Sequence, residues 1–433
     1  MKSQIKFEEK SFAIYGLGKT GNSVINYFKR FGFENYIIWD DNKNLKKKWE
    51  LTKNKETRFK TLLNFVDFII VSPGINIKKS KLKKILLKNK SRIITDLDLF
   101  YIQNPKLKSV VVTGSNGKST TCKILDHVFN KNKVPTVLGG NIGKPILDVS
   151  LKKNPWVIIE ASSFQLAYSK FVKPSYALLI NISKDHIEWH GSFLKYINSK
   201  LKIFEKQKTN DLALFNSKKI LKIYKKRKYL GNIHFVKNNN YKKIEKYFKN
   251  NSFNFNMNKE NLSYVISLSK IFKIKEKGLI DSLNSFKGLP HRHEIFLKKN
   301  NKTFINDSKA TSFSACEIAL KNNDNIYWIL GGMPKERDKF NITKFKNKII
   351  KSYIIGKYMK KFEKHLKNKV EINFSKTLNS AVISILKDIQ NDNKTKFTII
   401  LSPASASYDQ FKNFEERGNK FKKLVKIYAR KLL

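Results

Sequence analysis

The chain has 433 residues, of which 41% are hydrophobic, and this length and composition predict two or three globular domains. Its formal net charge of +54 is typical of proteins that bind nucleic acids or anionic membranes. The lysines are spread over the whole chain together with abundant Asn, Ile and Phe, all favoured by AT-rich codons. We therefore attribute most of the charge to genome composition and expect no nucleic-acid partner.

Cysteine usage and hydropathy limit the class of protein further. Cys122 and Cys316 stand far apart, without the spacing of metal ligands or of a disulfide framework. Residues 1–10 are charged, and no apolar run reaches the length of a membrane span. We expect a cytoplasmic protein without a membrane partner, and a monomer.

The first segment carries a glycine pattern directly after a predicted strand. The strand at residues 12–15 leads into Gly16-Leu17-Gly18-Lys19-Thr20-Gly21, which has the spacing G-x-G-x-x-G and precedes a predicted helix. By itself this pattern fits a dinucleotide, a nucleotide-sugar or only a tight turn.

Two later strands of this segment end in polar residues. Predicted strands at residues 36–39 and 68–71 end at Asp40-Asp41 and at Ser72-Pro73-Gly74, and a strand-like run at residues 92–95 follows. Because the carboxyl ends of parallel strands meet at one edge of a sheet, we expect a ligand there. A carboxylate at this edge suits a ribose or a base edge.

The central segment contains a predicted phosphate-binding loop. A β-branched run, Val110-Val111-Val112, leads into Thr113-Gly114-Ser115-Asn116-Gly117-Lys118-Ser119-Thr120 and then into a helix-forming stretch. In this context backbone N–H groups and a helix N-terminus surround a phosphate, Lys118 reaches the β- and γ-phosphates, and Ser119 or Thr120 offers a hydroxyl to Mg²⁺. The alternative is a glycine-rich turn before an ordinary helix.

Two further strand ends of the central segment carry candidate metal ligands. Glu160 ends an apolar strand at residues 157–159, where a carboxylate either coordinates Mg²⁺ or caps the next helix. His186 follows the strand at residues 177–180 in a comparable place, although a lone His is often structural. A glycine-rich loop is predicted at residues 139–143, where the backbone could approach a ligand closely.

The stretch at residues 206–256 is rich in Lys and Asn. A basic nucleic-acid patch is one interpretation. We favour a solvated face, because the apolar positions between the lysines repeat and would form core.

The third segment predicts another α/β sheet, because strand-like runs recur and each ends in a polar or glycine-containing loop. These runs lie at residues 303–306, 327–330, 353–355 and 397–401.

The phosphate loop TGSNGKST, with GLGKTG before it and EASSFQL after it, resembles the Mur ligases. The Glu-x-Ser-Ser-Phe-Gln-Leu form is similar to the branch that adds D-glutamate, since relatives that add diaminopimelate or lysine usually have His at the position of Phe164. Further family motifs run through nearly the whole chain: SPG from Ser72, GGNIG from Gly139, KDH from Lys184, GLPHR from Gly288, NDSKAT from Asn306, LGG from Leu330 and LSPASAS from Leu401.

The resemblance implies three α/β domains and one reaction. ATP would phosphorylate the carboxylate of UDP-N-acetylmuramoyl-L-alanine, and the amine of D-glutamate would attack the acyl phosphate, as a step in peptidoglycan precursor synthesis. The domains would be a Rossmann-like domain for the UDP substrate at residues 1–95, a central P-loop domain with a parallel sheet at residues 96–287, and a Rossmann-like domain for D-glutamate at residues 288–433.

The resemblance also implies roles for particular residues. Lys118, Glu160, His186 and Lys200 would be catalytic, and the ligands of two Mg²⁺ ions would be Ser119, Glu160, His186 and Lys200. Lys200 matches a lysine that carries a carbamate made from CO₂ in this family, whereas its own sequence context predicts a surface lysine. ATP would contact Gly114, Ser115, Asn116, Gly117, Lys118, Ser119, Thr120, Asn258, Asn261, Arg292 and Asp307. The UDP substrate would contact Gly18, Lys19, Thr20, Asp40, Asp41, Ser72, Gly74, Asn141 and His186, and D-glutamate would contact Lys309, Thr311, Lys335, Ser407 and Phe414.

Three positions depart from the family pattern. Met257 stands where His is common, Tyr408 where Leu is common, and Met333-Pro334 replaces a more usual turn before Lys335. Two rival hypotheses remain at this stage. One is another amide ligase of the same fold, either a folylpolyglutamate synthetase or a different Mur ligase, and the GLGKTG domain argues against the folate enzyme, which lacks it. The other is a nucleic-acid-binding P-loop ATPase, which would leave His186 and the segments 307–311 and 402–407 without a role.

Overall fold

The protein has an α/β fold with three β-sheets, which lie in two compact units, Met1–Phe286 and Lys287–Leu433. The computed structural model describes residues 7–49, 56–248, 256–335, 338, 341–392 and 396–432. The first unit contains a four-stranded sheet, here called the first sheet, and a six-stranded central sheet. The second unit contains the six-stranded C-terminal sheet. The predicted α/β fold with three sheets is confirmed, and the first two sheets lie in one compact unit.

The first sheet is parallel throughout, with the strand order β2-β1-β3-β4. Its first three strands match the predicted ones, while the fourth covers two residues and is shorter than the predicted run at residues 92–95. The strands are β1 (Phe12–Tyr15), β2 (Tyr36–Trp39), β3 (Phe68–Val71) and β4 (Ile93–Ile94), and the helices of this sheet are α1 (Lys19–Arg30), α2 (Lys43–Lys48), α3 (Glu56–Leu62) and α4 (Lys83–Lys88).

The central sheet is also parallel, and its order is β10-β9-β8-β5-β7-β6. Strand β5 is buried at every residue, which explains its unbroken β-branched run. The strands are β5 (Ser109–Thr113), β6 (Thr136–Gly140), β7 (Trp156–Glu160), β8 (Tyr176–Leu179), β9 (Leu212–Phe215) and β10 (Asn232–Phe235). The helices are α5 (Asp96–Gln103), α6 (Lys118–Lys131), α7 (Ser163–Tyr168), α8 (Ile187–His190), α9 (Phe193–Leu201), α10 (Lys218–Lys226), α11 (Lys242–Glu245), α12 (Asn256–Ile271) and α13 (Glu276–Asn284).

Two predictions for the central sheet need correction. Gly139 and Gly140 are the last residues of β6 and belong to the sheet, not to a loop. In the lysine-rich stretch, Ile220 and Tyr224 are buried as predicted, but Ile233 and Phe235 are 39% and 41% exposed. These two residues lie on β10, an edge strand that has a neighbour on one side only.

One hydrophobic core runs through the first sheet and the central sheet. It contains Phe12 and Ile14 of β1 together with Val111 of β5 and Val157 of β7. The C-terminal sheet has two hydrophobic cores of its own, one on each face. Within its third strand in chain order, Ile329 belongs to one core and Trp328 to the other. Neighbouring side chains of a strand point to opposite faces of the sheet, so these two residues are expected in different cores.

The C-terminal sheet has the order β11-β12-β16-β13-β14-β15, in which only the β11–β12 pair is antiparallel. The four predicted strands of this segment are confirmed, and β11 and β15 are additional. The strands are β11 (Glu294–Lys299), β12 (Lys302–Asn306), β13 (Ile326–Gly331), β14 (Ile349–Ile355), β15 (Glu371–Lys376) and β16 (Phe397–Leu401). The helices are α14 (Phe313–Lys321), α15 (Met359–Leu366), α16 (Leu378–Gln390) and α17 (Phe414–Leu432).

Among the described residues, every helix is too short or too polar to cross a membrane.

Candidate active site

The phosphate loop lies between the central strand β5 and helix α6, as predicted. Gly117 has a φ of +80°, and a Cβ atom there would come within 2.5 Å of the side-chain amide of Asn261. Glycine is therefore required both by the backbone conformation and by the space. Asn261, predicted to contact ATP, is buried against the loop, and its Nδ2 has no hydrogen-bond partner among the described residues. The side chain of Asn258 lies outside the described part of the chain.

Asn181, at the end of β8, holds the loop in place. Its Oδ1 accepts hydrogen bonds from the backbone N–H groups of Ser115 (3.0 Å) and Asn116 (2.9 Å), and its Nδ2 donates to the carbonyl of Asn116 (3.0 Å). The Ser115 hydroxyl lies 2.7 Å from the hydroxyl of Tyr196. The sequence analysis assigned no role to Asn181. Its position just after a strand that was predicted to lie in the same sheet as the phosphate loop could have indicated one.

Two lysine side chains converge on the carbonyl oxygen of Gly114. Lys118 Nζ donates to it at 2.8 Å and Lys200 Nζ donates to it at 2.6 Å. Lys200 is only 1% exposed, so the surface position predicted from its own sequence context is wrong. Burial, and secondarily the charge of Lys118, hold the pKa of the Lys200 amine well below its ordinary value. The neutral amine is therefore much more accessible than in a solvated lysine.

Glu160 is the second buried ionisable group near the loop. It is 1% exposed; its Oε1 accepts from Asn141 Nδ2 at 2.8 Å, while its Oε2 has no hydrogen-bond partner among the described residues. The helix-cap alternative is wrong, because Ser162 caps α7 in a capping box with Gln165. An unpartnered buried carboxylate oxygen is costly unless a cation or a donor satisfies it.

His186 precedes α8 in a left-handed conformation, with a φ of +52°. Its backbone N–H donates to Asp185 Oδ1 (2.9 Å), and its Nε2 lies 3.3 Å from Asp185 Oδ2. Its ring packs against Phe164 with 4.6 Å between centroids. In the part of the chain that the structure describes, no group of three or more His, Cys, Asp or Glu side chains is arranged to hold a metal.

His190 is a buried neighbour of this region that the sequence analysis did not single out. Its Nε2 lies 3.0 Å from the hydroxyl of Ser163, and its Nδ1 lies 3.3 Å from that of Ser199. Burial, with help from the charges of His186 and Lys200, lowers the pKa of His190 to about 4. The ring is thus neutral at physiological pH and joins α7 to the helix that carries Lys200.

The carboxyl edge of the first sheet brings together the residues predicted to bind the UDP substrate. Ser72 Oγ donates to the carbonyl of Gly16 (2.8 Å), so the ends of β1 and β3 are tied together. Asp40 Oδ2 accepts from the N–H of Leu17 (2.6 Å), and Asp41 Oδ2 accepts from the Tyr15 hydroxyl (2.6 Å). Both carboxylates therefore support the loop in this structure.

Open space remains at the same edge. A Cβ atom at Gly18 or Gly74 would meet nothing within 4 Å. Lys19 Nζ reaches the carbonyl of Gly143 at 2.6 Å, linking this edge to the loop after β6, and Thr20 follows it in the first turn of α1. The edge thus borders the central sheet on the side that carries Asn141.

In the C-terminal unit, Asp307 directly follows β12 and is buried. Its Oδ2 accepts from Ser402 Oγ (2.8 Å) and its Oδ1 accepts from the N–H of His293 (3.0 Å). Burial raises the pKa of Asp307 to about 7, and the nearby charge of Arg292 opposes that rise. The two residues predicted to face the nucleotide from this unit are therefore neighbours.

The residues predicted to bind D-glutamate lie on loops at the carboxyl edge of the C-terminal sheet. Lys309 Nζ lies 4.4 Å from the ring centroid of Phe414, which starts α17. Ser407 is buried in the loop after β16, while Lys335 is exposed in the segment after β13. Thr311 is half-buried in the loop that carries Lys309.

A parallel sheet with a central strand that leads through a glycine-containing loop into a helix, and with a buried lysine and a buried carboxylate beside that loop, is typical of P-loop nucleotide-binding proteins. Residues 112–279 match the family Mur ligase middle domain, and residues 10–94 match Mur ligase MurD-like, N-terminal domain. The chain belongs to the Mur ligase family.

The curated relatives identify the branch. The chain is 34% identical to the UDP-N-acetylmuramoylalanine–D-glutamate ligase of Rickettsia felis over 98% of each chain. It is 36% identical to the enzyme of the same name from Buchnera aphidicola subsp. Schizaphis graminum, over 96% of this chain and 98% of that one.

Solved structures agree on the fold. The UDP-N-acetylmuramate-alanine ligase MurC of Thermotoga maritima superposes with a TM-score of 0.57 at 15% identity, covering 98% of this chain and all of that one. The MurF ligase of Thermotoga maritima, solved in complex with ADP, superposes with a TM-score of 0.56 at 18% identity, covering 85% of this chain and 91% of that one.

Proposed function

We propose that this protein is an ATP-dependent amide ligase that adds D-glutamate to UDP-N-acetylmuramoyl-L-alanine in peptidoglycan precursor synthesis. The reaction passes through an acyl phosphate: the γ-phosphoryl group of ATP is transferred to the alanyl carboxylate, and the amine of D-glutamate then displaces phosphate. Phosphorylation is needed because a carboxylate has no leaving group of its own. The products are the amide, ADP and inorganic phosphate.

The convergence of Lys118 and Lys200 on the phosphate loop is the observation that carries this proposal. Lys118 leaves the carbonyls of Gly114 and Ser115 to contact the β- and γ-phosphates of bound ATP, where its charge offsets the charge of the moving phosphoryl group. The N-terminus of α6 supplies further donors to the phosphates. Ser115 to Thr120, Asn258, Asn261, Arg292 and Asp307 complete the proposed nucleotide site.

The residues present fit a divalent cation. The Oε2 of buried Glu160, which has no hydrogen-bond partner within the described segments, is an oxygen ligand of the kind that Mg²⁺ prefers, and Ser119 lies in the first turn of α6. We propose Ser119, Glu160, His186 and Lys200 as holders of two Mg²⁺ ions. When bound, Mg²⁺ neutralises phosphate charge.

Lys200 can serve as a metal ligand only if it becomes an anion. Its suppressed pKa makes the neutral amine available, and a neutral amine is the form that adds CO₂ to give a carbamate. We therefore propose that Lys200 is carbamylated in the active enzyme, and that its amine contact with Gly114 in this structure represents the unmodified form.

The two acceptor substrates are assigned to the two remaining sheet edges. The UDP substrate would contact Gly18, Lys19, Thr20, Asp40, Asp41, Ser72 and Gly74, with Asn141 and His186 toward its muramoyl-alanine end. D-Glutamate would contact Lys309, Thr311, Lys335, Ser407 and Phe414. The cationic side chains among them suit a diphosphate and a dicarboxylate.

Cellular setting and assembly are part of the proposal. We infer a cytoplasmic monomer that has no nucleic-acid or membrane partner. Two buried free thiols, Cys122 and Cys316, suit a reducing compartment.

The deciding experiment measures phosphate release from ATP with UDP-N-acetylmuramoyl-L-alanine and one amino acid at a time. Release should require D-glutamate, with little activity for L-glutamate, L-alanine or diaminopimelate. Equal phosphate release with diaminopimelate would indicate that the protein belongs to another branch of the family. Phosphate release without any amino acid would contradict the ligase reaction.

A further inference from the structure

Arg417 is a buried cation in the C-terminal unit for which neither the sequence analysis nor the proposed reaction provides a role. It lies in the first turns of α17 and is only 1% exposed. Burial lowers the pKa of its guanidinium to about 10, so the group remains charged at neutral pH. None of the described carboxylates forms a salt bridge with it; such a buried charge costs stability, and an apolar side chain of similar size would often serve the core better.

The guanidinium contacts three different loops at the carboxyl edge of the C-terminal sheet. Its Nε donates to the hydroxyl of Ser308 (3.0 Å) and one terminal nitrogen donates to the carbonyl of the same residue (2.8 Å). That nitrogen also donates to the carbonyl of Ser405 (2.9 Å). The other terminal nitrogen lies 3.5 Å from the carbonyl of Gly331.

Each of these loops carries residues proposed to bind D-glutamate. Ser308 immediately precedes Lys309, and Ser405 lies two residues before Ser407. Gly331 ends β13, from which the chain continues toward Lys335. One side chain therefore joins the three segments that form the proposed amino-acid pocket.

The packing around the guanidinium is close. A Cβ atom at Gly332, which has a φ of +130°, would lie 3.2 Å from a terminal nitrogen of Arg417 and 2.4 Å from the carbonyl of Ala406. Phe414 stands one turn before Arg417 on α17, and its carbonyl accepts from Ser308 Oγ at 2.8 Å. The Ser308 hydroxyl therefore contacts both Phe414 and Arg417, which fixes the position of its loop relative to α17.

The hydrogen-bond partners of Arg417 also affect the charge of the pocket. All are oxygen atoms of neutral groups, and three of them are carbonyls. Carbonyl oxygens near a dicarboxylate would repel it, whereas carbonyls that accept from a guanidinium are compensated. No carboxylate of the described residues forms a salt bridge with Arg417, although the charge of Asp409 acts on it from a greater distance, so positive charge remains near the pocket.

We propose that Arg417 is the positioning residue of the amino-acid pocket, holding the loops of Ser308, Gly331 and Ser405 in the arrangement that binds a dicarboxylic amino acid. Arg417 acts through these loops and does not itself contact the substrate. The inference rests on the proposed function and extends it to a residue outside the set that contacts substrate.

The test compares Arg417→Met, Arg417→Lys and Ser308→Ala with the wild type. We expect the KM for D-glutamate to rise about a hundredfold in Arg417→Met, because the carbonyls of Ser308, Gly331 and Ser405 would lose their donor beside the pocket for a dicarboxylate. Lysine lacks the planar fork and should give a rise of about tenfold, and Ser308→Ala, which removes the acceptor of Nε, a smaller one. The KM for UDP-N-acetylmuramoyl-L-alanine should stay within about twofold in all three.

The matched control is Arg430→Met, which removes an exposed arginine from the same helix and should leave every KM unchanged. A merely structural arginine would lower the folded, active fraction and hence the apparent kcat, with each KM unaffected; this result would overturn the proposal. An unchanged KM for D-glutamate in folded Arg417→Lys and Ser308→Ala would do the same, even if Arg417→Met does not fold. Lack of D-glutamate-dependent phosphate release by the wild type would instead contradict the proposed function.

Discussion

Lys118 and Lys200 donate hydrogen bonds to the same atom, the carbonyl oxygen of Gly114. Two side chains that are ordinarily cationic therefore share one acceptor in a buried place. Burial, and then repulsion by the charge of Lys118, lower the pKa of Lys200, the more buried of the two. The arrangement places the lysine proposed to contact phosphate beside a lysine whose lowered pKa favours its neutral form.

Lys118→Ala should abolish turnover and leave the fold intact. It removes a charge-assisted contact to a phosphoryl oxygen, which should cost on the order of 3 kcal/mol or more in the transition state. Phosphate release and circular dichroism would be measured together, with Lys131→Ala at the exposed end of the same helix as the control. Near-normal release by folded Lys118→Ala would refute the phosphate-loop assignment.

Lys200→Ala should lose most activity, because the carbamate would no longer be available as an anionic metal ligand. Added acetate or formate should restore part of it by occupying the vacated space, whereas Lys200→Arg should resist rescue, since a guanidinium cannot take up CO₂. Rates would be measured with and without acetate at constant Mg²⁺ and ionic strength. Lys195→Ala, exposed on the same helix, is the control. Full activity of Lys200→Ala without any added anion would exclude the carbamate.

Asp307 predicts a pH dependence of stability. Its pKa is raised to about 7 in the folded protein, so the folded state holds a proton that the unfolded state releases near pH 4. The free energy of unfolding of the wild type should therefore decrease, relative to that of Asp307→Asn, as the pH rises from about 4 to about 7. The decrease should approach about 1.4 kcal/mol per pH unit inside this window.

Urea unfolding at several pH values would measure this difference. Asn can keep both contacts of Asp307, because its oxygen accepts from the His293 N–H and its amide can donate to Ser402 Oγ. Asp324→Asn, which changes an exposed carboxylate of the same unit, should follow the wild type. Parallel curves for the wild type and Asp307→Asn would show that Asp307 is ionised in the folded state throughout.

The net charge of +54 should produce only weak binding to random duplex DNA. Diffuse lysines that arise from genome composition give salt-sensitive attraction that disappears near physiological ionic strength. Fluorescence anisotropy with a labelled duplex at low and physiological salt would test this. Sub-micromolar affinity at physiological salt would instead make nucleic-acid binding the main explanation of the charge.

Sequence reasoning predicted the strands that end at the functional edges, because buried parallel strands are short apolar runs followed by polar loops. It placed the phosphate loop between β5 and α6 correctly, since that motif is contiguous in the chain. Local sequence patterns could not place Lys200, which only the family resemblance identified, or Arg417, because both are ordinary charged residues until distant segments bury them. Asn181 escaped attention for the same reason, because its contacts with Ser115 and Asn116 arise only when β8 lies beside β5.

The edge strand β10 marks a limit of the sequence argument. Alternating apolar residues such as Ile233 and Phe235 are typical of a strand with a buried face, but a strand at the end of a sheet is covered less. The repeat of apolar positions therefore predicted burial where the edge position of the strand leaves partial exposure.

The core shared by the first sheet and the central sheet has a consequence for cooperativity. Phe12 and Ile14 belong to the same hydrophobic cluster as Val111 and Val157, so melting of the first sheet removes packing from the strand that leads into the phosphate loop. The C-terminal sheet is built around separate clusters. Calorimetry should thus show two unfolding transitions, one for the first and central sheets together and one for the C-terminal sheet. A core truncation such as Ile14→Ala should lower the melting temperature of the first of these, which is also the transition that ATP should stabilise through its phosphate contacts.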